Sequence, residues 1–416
     1  MDEHNIDGQY GGFKLLEVII IVVITCVFSV FAGISYGKIK YSDTVTINNT
    51  NEESEDEALT DFIKQYKNII NNYYDKSQID EEELLNTGLK SIVNKLGISD
   101  PYSLYMDEET YNMLSVSLAG SYSGLGVVAL KETEDSYITV IATIKDSPAE
   151  KNNLMPNDLI ISIDGKSTKE MTTSDFSQYV AKSEETNFSL KIRRDNKDFT
   201  INIQKTSIEL ESVTSKMYEQ DGKKIGYISM SIFASNSYSQ FKKQLTELEK
   251  QGMQGLIIDV RDNTGGHLDA AAKIISLFTK KNTVIYQLQK GSSKVKYFSK
   301  GKNNATYPIV FISNSSTASA SEVLIISLKE NLGSKLVGEK TYGKGTVQEM
   351  IQLSNGDKYK ITTKKWLSPK GNWVNDTKGI KPDITVKLNS KYSETPTEAN
   401  DNQLQEALKL VTSEVK

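Results

Sequence analysis

Cysteine and histidine are almost absent from this chain of 416 residues, which contains only Cys26, His4 and His267. A single cysteine excludes an intrachain disulfide and any zinc site built from cysteines. Two histidines are too few for a histidine-rich metal site or an HExxH motif. The formal net charge of −5 shows no basic excess of the kind that binds nucleic acid. We therefore expect no metal, no cofactor and no nucleic-acid partner.

Long apolar runs are also scarce, and the one present covers residues 15–36. It carries no charge and no proline from Val18 to Ile34, which is near the lower limit for a membrane-spanning helix. The run predicts a transmembrane anchor after a short N-terminal tail, residues 1–14. A cleaved signal peptide is the alternative, with Val30 and Ala32 as a small-residue cleavage pattern.

A polar, acidic stretch at residues 37–57 predicts a solvated linker. Beyond it, apolar residues recur at three- and four-residue steps from Leu59 to Tyr74, which indicates an amphipathic helix. Asp80 with Glu83 forms an N-cap pair for a second helix that ends at Gly97. Residues 58–121 are thus expected to form a helical N-terminal domain with a docking or dimerising role.

Residues 122–207 contain short β-rich runs between turn residues, with one helix near residues 173–181. The stretch SGLGV and the segment DSPAEKNNLMPNDLIISIDGKS resemble a PDZ domain. That resemblance implies that a peptide's terminal carboxylate is held by a loop and its extended chain pairs with a strand edge. The loop residues would be Ser123, Gly124, Leu125, Gly126 and Val127.

Two asparagines in this module stand where PDZ domains usually have glycine, at Asn153 and Asn157. Asparagine tolerates a positive φ better than other non-glycine residues. We therefore expect both turns to survive the replacement.

From residue 208 to residue 390 the pattern alternates between β and α. Continuous apolar strands such as LIID and IVFI lie between helices predicted at 235–251, 268–279 and 318–331. Such strands are typical of a sheet covered by helices. The predicted fold class is an α/β core with a mixed sheet, an inserted PDZ-like β-module, a helical N-terminal segment and a single transmembrane helix. Residues 391–416 are expected to be a polar C-terminal tail with one short helical pattern.

The segment 307–331 reads as a buried strand, a Ser/Thr-rich turn and a helix. A serine at such a junction lies beside free N–H groups of a helix N-terminus, which favour developing negative charge. A nucleophile with an oxyanion hole needs that environment. The turn alone fits a helix cap equally well, with Glu322 as capping-box partner.

A serine nucleophile needs a general base, and neither histidine is a good candidate for that role. His4 precedes the apolar run, and His267 reads as a helix-start residue. A lysine can act instead if its ammonium is desolvated and its pKa falls. Lys344 lies between two glycines that permit close backbone approach, and Gln348 shares its face. A surface lysine in a glycine turn is the alternative.

The motifs STASASEVL, VGEKTYGKGTVQ and GLIIDVRDNTGG together resemble the carboxy-terminal processing (tail-specific) proteases, Ser-Lys endopeptidases with an embedded PDZ domain. The similarity runs from about residue 58 to residue 390. It implies that Ser319 is the nucleophile, Lys344 the general base and Gln348 the residue that orients the lysine. Ser321 is the rival nucleophile, two residues deeper in the helix.

The same resemblance implies oxyanion donors at the N–H of Ala320 and at one glycine of Gly265 and Gly266, without deciding which glycine. Members of the family often have proline where this chain has Thr264. That difference makes the glycine turn less rigid and removes no donor.

The implied function is a membrane-anchored serine endopeptidase that cleaves proteins near their C-termini, with the PDZ domain binding the substrate's C-terminus and gating activity. Lys14 before the apolar run and Lys38 and Lys40 after it weakly favour a cytoplasmic catalytic part. Family membership favours the extracytoplasmic side of the cell membrane, which we adopt as the expectation. A homodimer is also expected.

Two alternatives remain for the function. A catalytically inert PDZ scaffold at the membrane would predict a broken dyad, whereas Ser319, Lys344 and Gln348 are all present. A trypsin-like PDZ protease would need a catalytic histidine and a Gly-Asn-Ser-Gly-Gly type loop, and the sequence supplies neither.

Overall fold

The computed structural model describes residues 57–353 and 356–416. These residues divide into two compact units. The larger unit contains Asp107–Gln348 and Thr362–Lys416, and the smaller unit contains the described residues up to Met106 together with those of 349–361. The predicted anchor at 15–36 lies outside the described residues. Within the described part of the chain, no helix combines the length and the apolar character needed to cross a membrane.

The smaller unit is built mainly from two helices. They are α1 (Glu57–Asn72) and α2 (Glu81–Gly97), followed by strand β1 (Leu104–Met106). The Asp80 carboxylate accepts the N–H of Glu83 at 3.0 Å, which confirms the predicted cap. The apolar stripe of α1 is solvent-exposed, with Phe62 56% and Ile69 66% accessible.

The β-module of the larger unit follows helix α3 (Glu108–Ala119). Its sheet has the order β3-β4-β5-β7-β8, with β6 paired to β5, and β2 and β9 form a separate two-stranded ribbon. The elements are β2 (Ser121–Gly124), β3 (Val127–Leu130), β4 (Ile138–Thr143), α4 (Pro148–Lys151), β5 (Leu159–Ile163), β6 (Lys166–Ser167), α5 (Thr173–Lys182), β7 (Asn187–Arg194), β8 (Lys197–Gln204) and β9 (Thr206–Glu209). Strand β3 is therefore an edge strand.

The two asparagines of this module adopt the backbone that the sequence predicted for them. Asn153 has a φ of 55° and Asn157 a φ of 72°. Both lie in the left-handed region, where glycine is the usual residue and asparagine the least strained substitute. The prediction for these turns is confirmed.

The core of the larger unit is a six-stranded sheet of order β10-β11-β12-β15-β16-β19. The first pair is antiparallel and the remaining pairs are parallel, which confirms the predicted mixed sheet in an α/β core. The strands are β10 (Val213–Gln220), β11 (Lys223–Met230), β12 (Gly255–Asp259), β15 (Ile309–Ser313), β16 (Lys335–Gly338) and β19 (Ile384–Thr385). The helices are α6 (Ser237–Lys250), α7 (Leu268–Phe278) and α8 (Ala320–Leu332).

Four further strands lie outside that sheet. They are β13 (Val284–Lys290), β14 (Ser293–Phe298), β17 (Thr346–Gln352) and β18 (Lys358–Leu367). In the larger unit, β13 pairs with β14 and with the end of β18 at Lys365–Leu367. In the smaller unit, β1 pairs with residues 358–360.

The segment 391–416, expected to be a tail, contains α9 (Ser390–Glu394) and α10 (Asn402–Glu414). Leu404, Leu408 and Val411 recur at helical spacing and are buried against one face of the six-stranded sheet. Helices α6, α7 and α8 contribute to a second cluster of buried residues. Helix α10 is thus part of the core, and it extends the short helical pattern seen in the sequence.

A buried ion network holds the start of α10 against strand β12. The Asp401 carboxylate caps the helix by accepting the N–H of Leu404 at 3.0 Å, and it also accepts from Arg261 at 2.7 Å. Arg261 contacts Asp259 at the end of β12, whose carboxylate accepts the Tyr227 hydroxyl at 2.8 Å. Because each of these charges is paired and hydrogen-bonded, the network tolerates its burial.

Helix α10 gives a direct test of this core. Replacing the buried Leu408 with alanine should lower the free energy of unfolding by about 2–5 kcal/mol, because a leucine-sized cavity is left against the sheet. The neighbouring Lys409→Ala, on the exposed face of the same helix, is the matched control and should change stability by less than about 0.5 kcal/mol. Urea titration measures both. Equal stabilities for the two variants would show that this segment is a tail.

Candidate active site

Three neighbouring parallel strands of the core sheet deliver three loops to one edge. Strands β12, β15 and β16 are adjacent and parallel, and their carboxyl ends therefore lie at the same edge of the sheet. The loops that follow them carry the glycine pair, the Ser/Thr-rich turn and the glycine-flanked lysine. The topology thus gathers motifs that lie up to about eighty residues apart in the sequence.

Ser319 occupies the residue just before α8 and has an unusual backbone. Its φ of 57° and ψ of −118° lie outside the regions that non-glycine residues normally adopt. Strain of this kind persists only where the surroundings impose it, and it is typical of a nucleophile on a sharp strand-to-helix turn. The side chain is half-buried at the helix N-terminus.

Ser321 has a different environment from Ser319. It is fully buried, and its hydroxyl donates to the carbonyl of Asn263 at 3.0 Å. That bond joins α8 to the glycine-containing loop, together with the bond from the Ala318 N–H to the same carbonyl at 3.0 Å. Ser321 is therefore a packing residue between the two loops.

The buried carboxylate of Glu322 joins the serine turn to the lysine loop. Its Oε2 accepts the N–H of Ser319 at 2.8 Å and the N–H of Lys344 at 2.9 Å. Its Oε1 accepts the N–H of Gly343 at 2.8 Å and the hydroxyl of Thr341 at 2.6 Å. Because one oxygen holds both, the amide nitrogens of Ser319 and Lys344 lie no more than about 6 Å apart.

The four partners of Glu322 are all donors, which suits the ionised carboxylate. Burial raises the pKa of Glu322 above its ordinary value, and the hydrogen bonds that the carboxylate receives oppose that rise. The capping-box interpretation of the sequence identified Glu322, but it gave no signal that this side chain also binds the lysine loop.

Both tryptophans of the chain hold the backbone beside Lys344. The Nε1 of Trp366 donates to the carbonyl of Lys344 at 2.8 Å, and the Nε1 of Trp373 donates to that of Gly345 at 2.9 Å. A Cβ on Gly345 would lie 2.3 Å from the Trp373 nitrogen, so this glycine is needed for the close approach. Neither tryptophan was predicted to belong to the site, although the chain contains only two and their scarcity was a usable signal.

Gln348 lies in strand β17, two residues after Thr346. Its Nε2 donates to the hydroxyl of Thr346 at 2.9 Å and to that of Thr362 at 3.0 Å. These two hydrogen bonds fix the orientation of the Gln348 side-chain amide. The role of Gln348 toward Lys344 stays a prediction.

The glycine pair packs directly on the serine turn. A Cβ on Gly265 would lie 2.8 Å from the Ser319 Cβ and 3.0 Å from the Ala320 nitrogen. The Gly265 N–H already donates to the Asn263 side chain at 2.9 Å. The N–H groups of Gly266 and Ala320 have no hydrogen-bond acceptor within the described part of the chain. Both N–H groups are therefore free to donate to a further oxygen at this edge.

His267 is the residue before α7, which confirms its interpretation as a helix-start residue. Its Nε2 lies 3.1 Å from the carbonyl oxygen of Leu118. A carbonyl can only accept, so this nitrogen carries a proton and donates it.

The five residues predicted to form the PDZ loop lie in two strands and the turn between them. Ser123 and Gly124 lie in β2, Leu125 and Gly126 form the turn, and Val127 begins β3. Gly126 has a φ of 80°. The carbonyls of Leu125 and Gly126 accept N–H groups inside the module at 2.8 and 2.9 Å. The N–H groups of Leu125 and Gly126 have no acceptor among the residues that the structure describes.

Three protein families match successive parts of the sequence. The sequence matches peptidase family S41 over residues 224–386, the PDZ domain over residues 139–194 and the activating protease CtpB N-terminal domain over residues 23–110. In chain order, the matches cover the helical N-terminal segment, the β-module and the core.

Two curated relatives from Bacillus subtilis are similar over most of the chain. The carboxy-terminal processing protease CtpB is 37% identical over 92% of this chain and 78% of its own length. The carboxy-terminal processing protease CtpA is 33% identical over 78% of this chain and 68% of its own length. The resemblance seen in the motifs is confirmed, and the chain belongs to peptidase family S41, among the carboxy-terminal processing serine proteases with a PDZ domain.

Proposed function

We propose that Ser319 is the nucleophile and Lys344 the general base of this peptidase, which cleaves protein substrates near their C-termini. The observation that carries the assignment is the Glu322 carboxylate, which binds the backbones of Ser319 and Lys344 through one oxygen. A serine nucleophile and its base must be held in a fixed relation before substrate arrives. The strained backbone of Ser319 supports the same role.

In the proposed mechanism, neutral Lys344 takes the hydroxyl proton of Ser319 as the Ser319 Oγ attacks the scissile carbonyl. The resulting oxyanion accepts from the N–H of Ala320 and the N–H of Gly266. The lysine then gives its proton to the leaving amine, and the peptide C–N bond breaks. Water repeats the sequence on the acyl-enzyme, with Lys344 again as base.

Gln348 is proposed to orient the lysine. Its Nε2 is occupied by Thr346 and Thr362, which leaves its Oε1 as the acceptor for an ammonium or amine. A neutral amide can fix the lysine without adding a negative charge, and a negative charge would favour the protonated lysine.

The PDZ domain is proposed to bind the substrate's C-terminus and to gate activity. An extended peptide would pair with the edge of β3, and its carboxylate would accept from the N–H groups of Leu125 and Gly126. Leu125 and Val127 belong to one apolar cluster with Phe176 and Val180 of α5. That cluster favours a peptide ending in an apolar residue.

The remaining parts of the proposal concern location and assembly. Residues 15–36 would anchor the protein in the cell membrane, with the catalytic part on the extracytoplasmic side. The exposed apolar stripe of α1, including Phe62 and Ile69, supports a homodimer through the helical N-terminal domain, because contiguous exposed apolar surface marks an interaction site.

Alanine substitutions test the dyad. Ser319→Ala and Lys344→Ala should each lower kcat for an unfolded protein substrate by about 10³-fold or more, because nucleophile and base act as a unit. Ser316→Ala, an exposed serine in the same turn, is the control and should keep kcat within about two-fold. Ser321→Ala should retain activity. Full activity of Ser319→Ala would remove the proposed nucleophile.

Glu322→Gln tests the carboxylate between the two loops. The amide places an NH₂ group among N–H and O–H donors, so we expect a loss of stability of about 1–3 kcal/mol and a fall in kcat. Glu330→Gln is the matched control, because Glu330 is on the same helix and also accepts a backbone N–H, that of Lys370 at 2.7 Å. Thermal melting and kcat are measured for both. A Glu322→Gln variant with normal kcat would contradict the positioning role.

A pair of peptides tests the PDZ proposal. In Ser319→Ala protein, a peptide ending in Ala-Leu-Val with a free carboxylate should bind at least about ten-fold more tightly than its C-terminal amide, because the amide lacks the charge that the loop N–H groups accept. Fluorescence anisotropy measures both affinities. Equal binding of the two peptides would exclude carboxylate recognition by this loop.

A further inference from the structure

The two segments that join the PDZ domain to the core meet at one place. The chain enters the domain at Gly120, which ends α3 with a φ of 72°, and leaves it at Leu210, just after β9. Strands β2 and β9 pair with each other, and the Leu210 N–H donates to the Gly120 carbonyl at 2.8 Å. We call Leu118, Gly120 and Leu210 the PDZ root.

Side chains of the core bind the Gly120 and Leu210 carbonyls of the root. The Asn236 Nδ2 donates to the Gly120 carbonyl at 2.6 Å and to the Leu210 carbonyl at 3.3 Å. The Gln240 Nε2 donates to the Leu210 carbonyl at 2.8 Å. The core thus supplies hydrogen-bond donors to backbone carbonyls at both the entrance and the exit of the domain.

The carbonyl of Leu118 is held by two further core residues. Ser235 reaches it through its N–H at 2.8 Å and its hydroxyl at 3.2 Å. His267 reaches it through its Nε2 at 3.1 Å. His267 is the residue directly after Gly266, whose N–H is the proposed oxyanion donor.

The backbone of Phe233, two residues before Ser235, binds the loop that contains the glycine pair. The Phe233 N–H donates to the Gly265 carbonyl at 2.8 Å, and the His267 N–H donates to the Phe233 carbonyl at 2.7 Å. Phe233 and Gly266 form an isolated parallel bridge. The segment 233–236 therefore makes two contacts. Ser235 and Asn236 bind the PDZ root, and Phe233 binds the loop of the glycine pair.

Both contacts of this segment are close. A Cβ on Gly266 would lie 2.3 Å from the Phe233 carbonyl oxygen, and a Cβ on Gly120 would lie 2.0 Å from the Asn236 Oδ1. That Oδ1 is buried and has no hydrogen-bond partner within the described part of the chain. Contacts this tight transmit a shift of the root instead of absorbing it, because packed groups have little free space.

We infer that His267 is a positioning residue that links the PDZ root to the oxyanion glycines, so that the orientation of the PDZ domain sets the placement of the Gly266 N–H. The imidazole holds Leu118 at the entrance to the domain, and the backbone of the same residue continues from Gly266. This inference rests on the proposed function, in which the PDZ domain gates the Ser319 site.

Hydrogen exchange in Ser319→Ala protein tests the link without catalysis. Adding the peptide that ends in Ala-Leu-Val should change amide exchange in residues 262–268. His267→Leu should abolish that change and keep the peptide's Kd within about two-fold, because the groove is untouched. His267→Gln should preserve the change, because the Gln Nε2 can replace the imidazole Nε2 as donor.

Kinetics in the active enzyme give a second readout. The peptide added in trans should stimulate cleavage of a substrate that lacks a C-terminal apolar tail, and His267→Leu should reduce that stimulation about five-fold or more. Thermal melting shows whether His267→Leu is folded. If it is not, Asn236→Asp removes the donor to the Gly120 and Leu210 carbonyls and should likewise weaken the response of residues 262–268.

The link is overturned if residues 262–268 do not respond to the peptide, if His267→Leu responds like its parent, or if His267→Gln behaves like the leucine variant. Failure of the proposed function gives a different result. In that case Ser319→Ala would retain peptidase activity, whatever the exchange experiment shows.

Discussion

The four hydrogen bonds received by the Glu322 carboxylate are the interaction on which the proposed site depends. Ser319 belongs to the turn after one strand and Lys344 to the loop after the next, and a single buried side chain holds both backbones. Removing a buried acceptor leaves its donors unsatisfied, which costs more than the hydrogen bonds themselves contribute. The tryptophans at Lys344 and Gly345 complete this fixed frame.

The parallel sheet explains how motifs that lie far apart in the sequence come together at the proposed site. Adjacent parallel strands end at the same edge of the sheet. The glycine pair, the serine turn and the lysine loop follow these strands and therefore lie next to one another. The PDZ domain is inserted into the chain before this sheet. Its root is hydrogen-bonded to Ser235 and Asn236 and to His267, the residue that follows the glycine pair. In the proposed mechanism, peptide recognition and catalysis are joined through these hydrogen bonds, which lie close to the proposed oxyanion donors.

The α/β core, the β-module and the positive φ of Asn153 and Asn157 could be predicted from apolar periodicity and turn chemistry, because these features are local. The packing of α10 could not, since Leu404, Leu408 and Val411 show only a short helical pattern until the sheet face that buries them is known. The links from Glu322 to Lys344 and from His267 to Leu118 join residues 22 and 149 positions apart. No pattern in a single sequence encodes such pairs.

The most direct test of the account is the pH dependence of kcat/KM for residues 41–416 on an unfolded protein substrate. A lysine base works only when it is deprotonated, so kcat/KM should rise with pH through a single ionisation of the free enzyme to a plateau. Any residual activity of Lys344→Ala should lack that ionisation. A wild-type rate that is independent of pH, or that falls as pH rises, would contradict Lys344 as the general base.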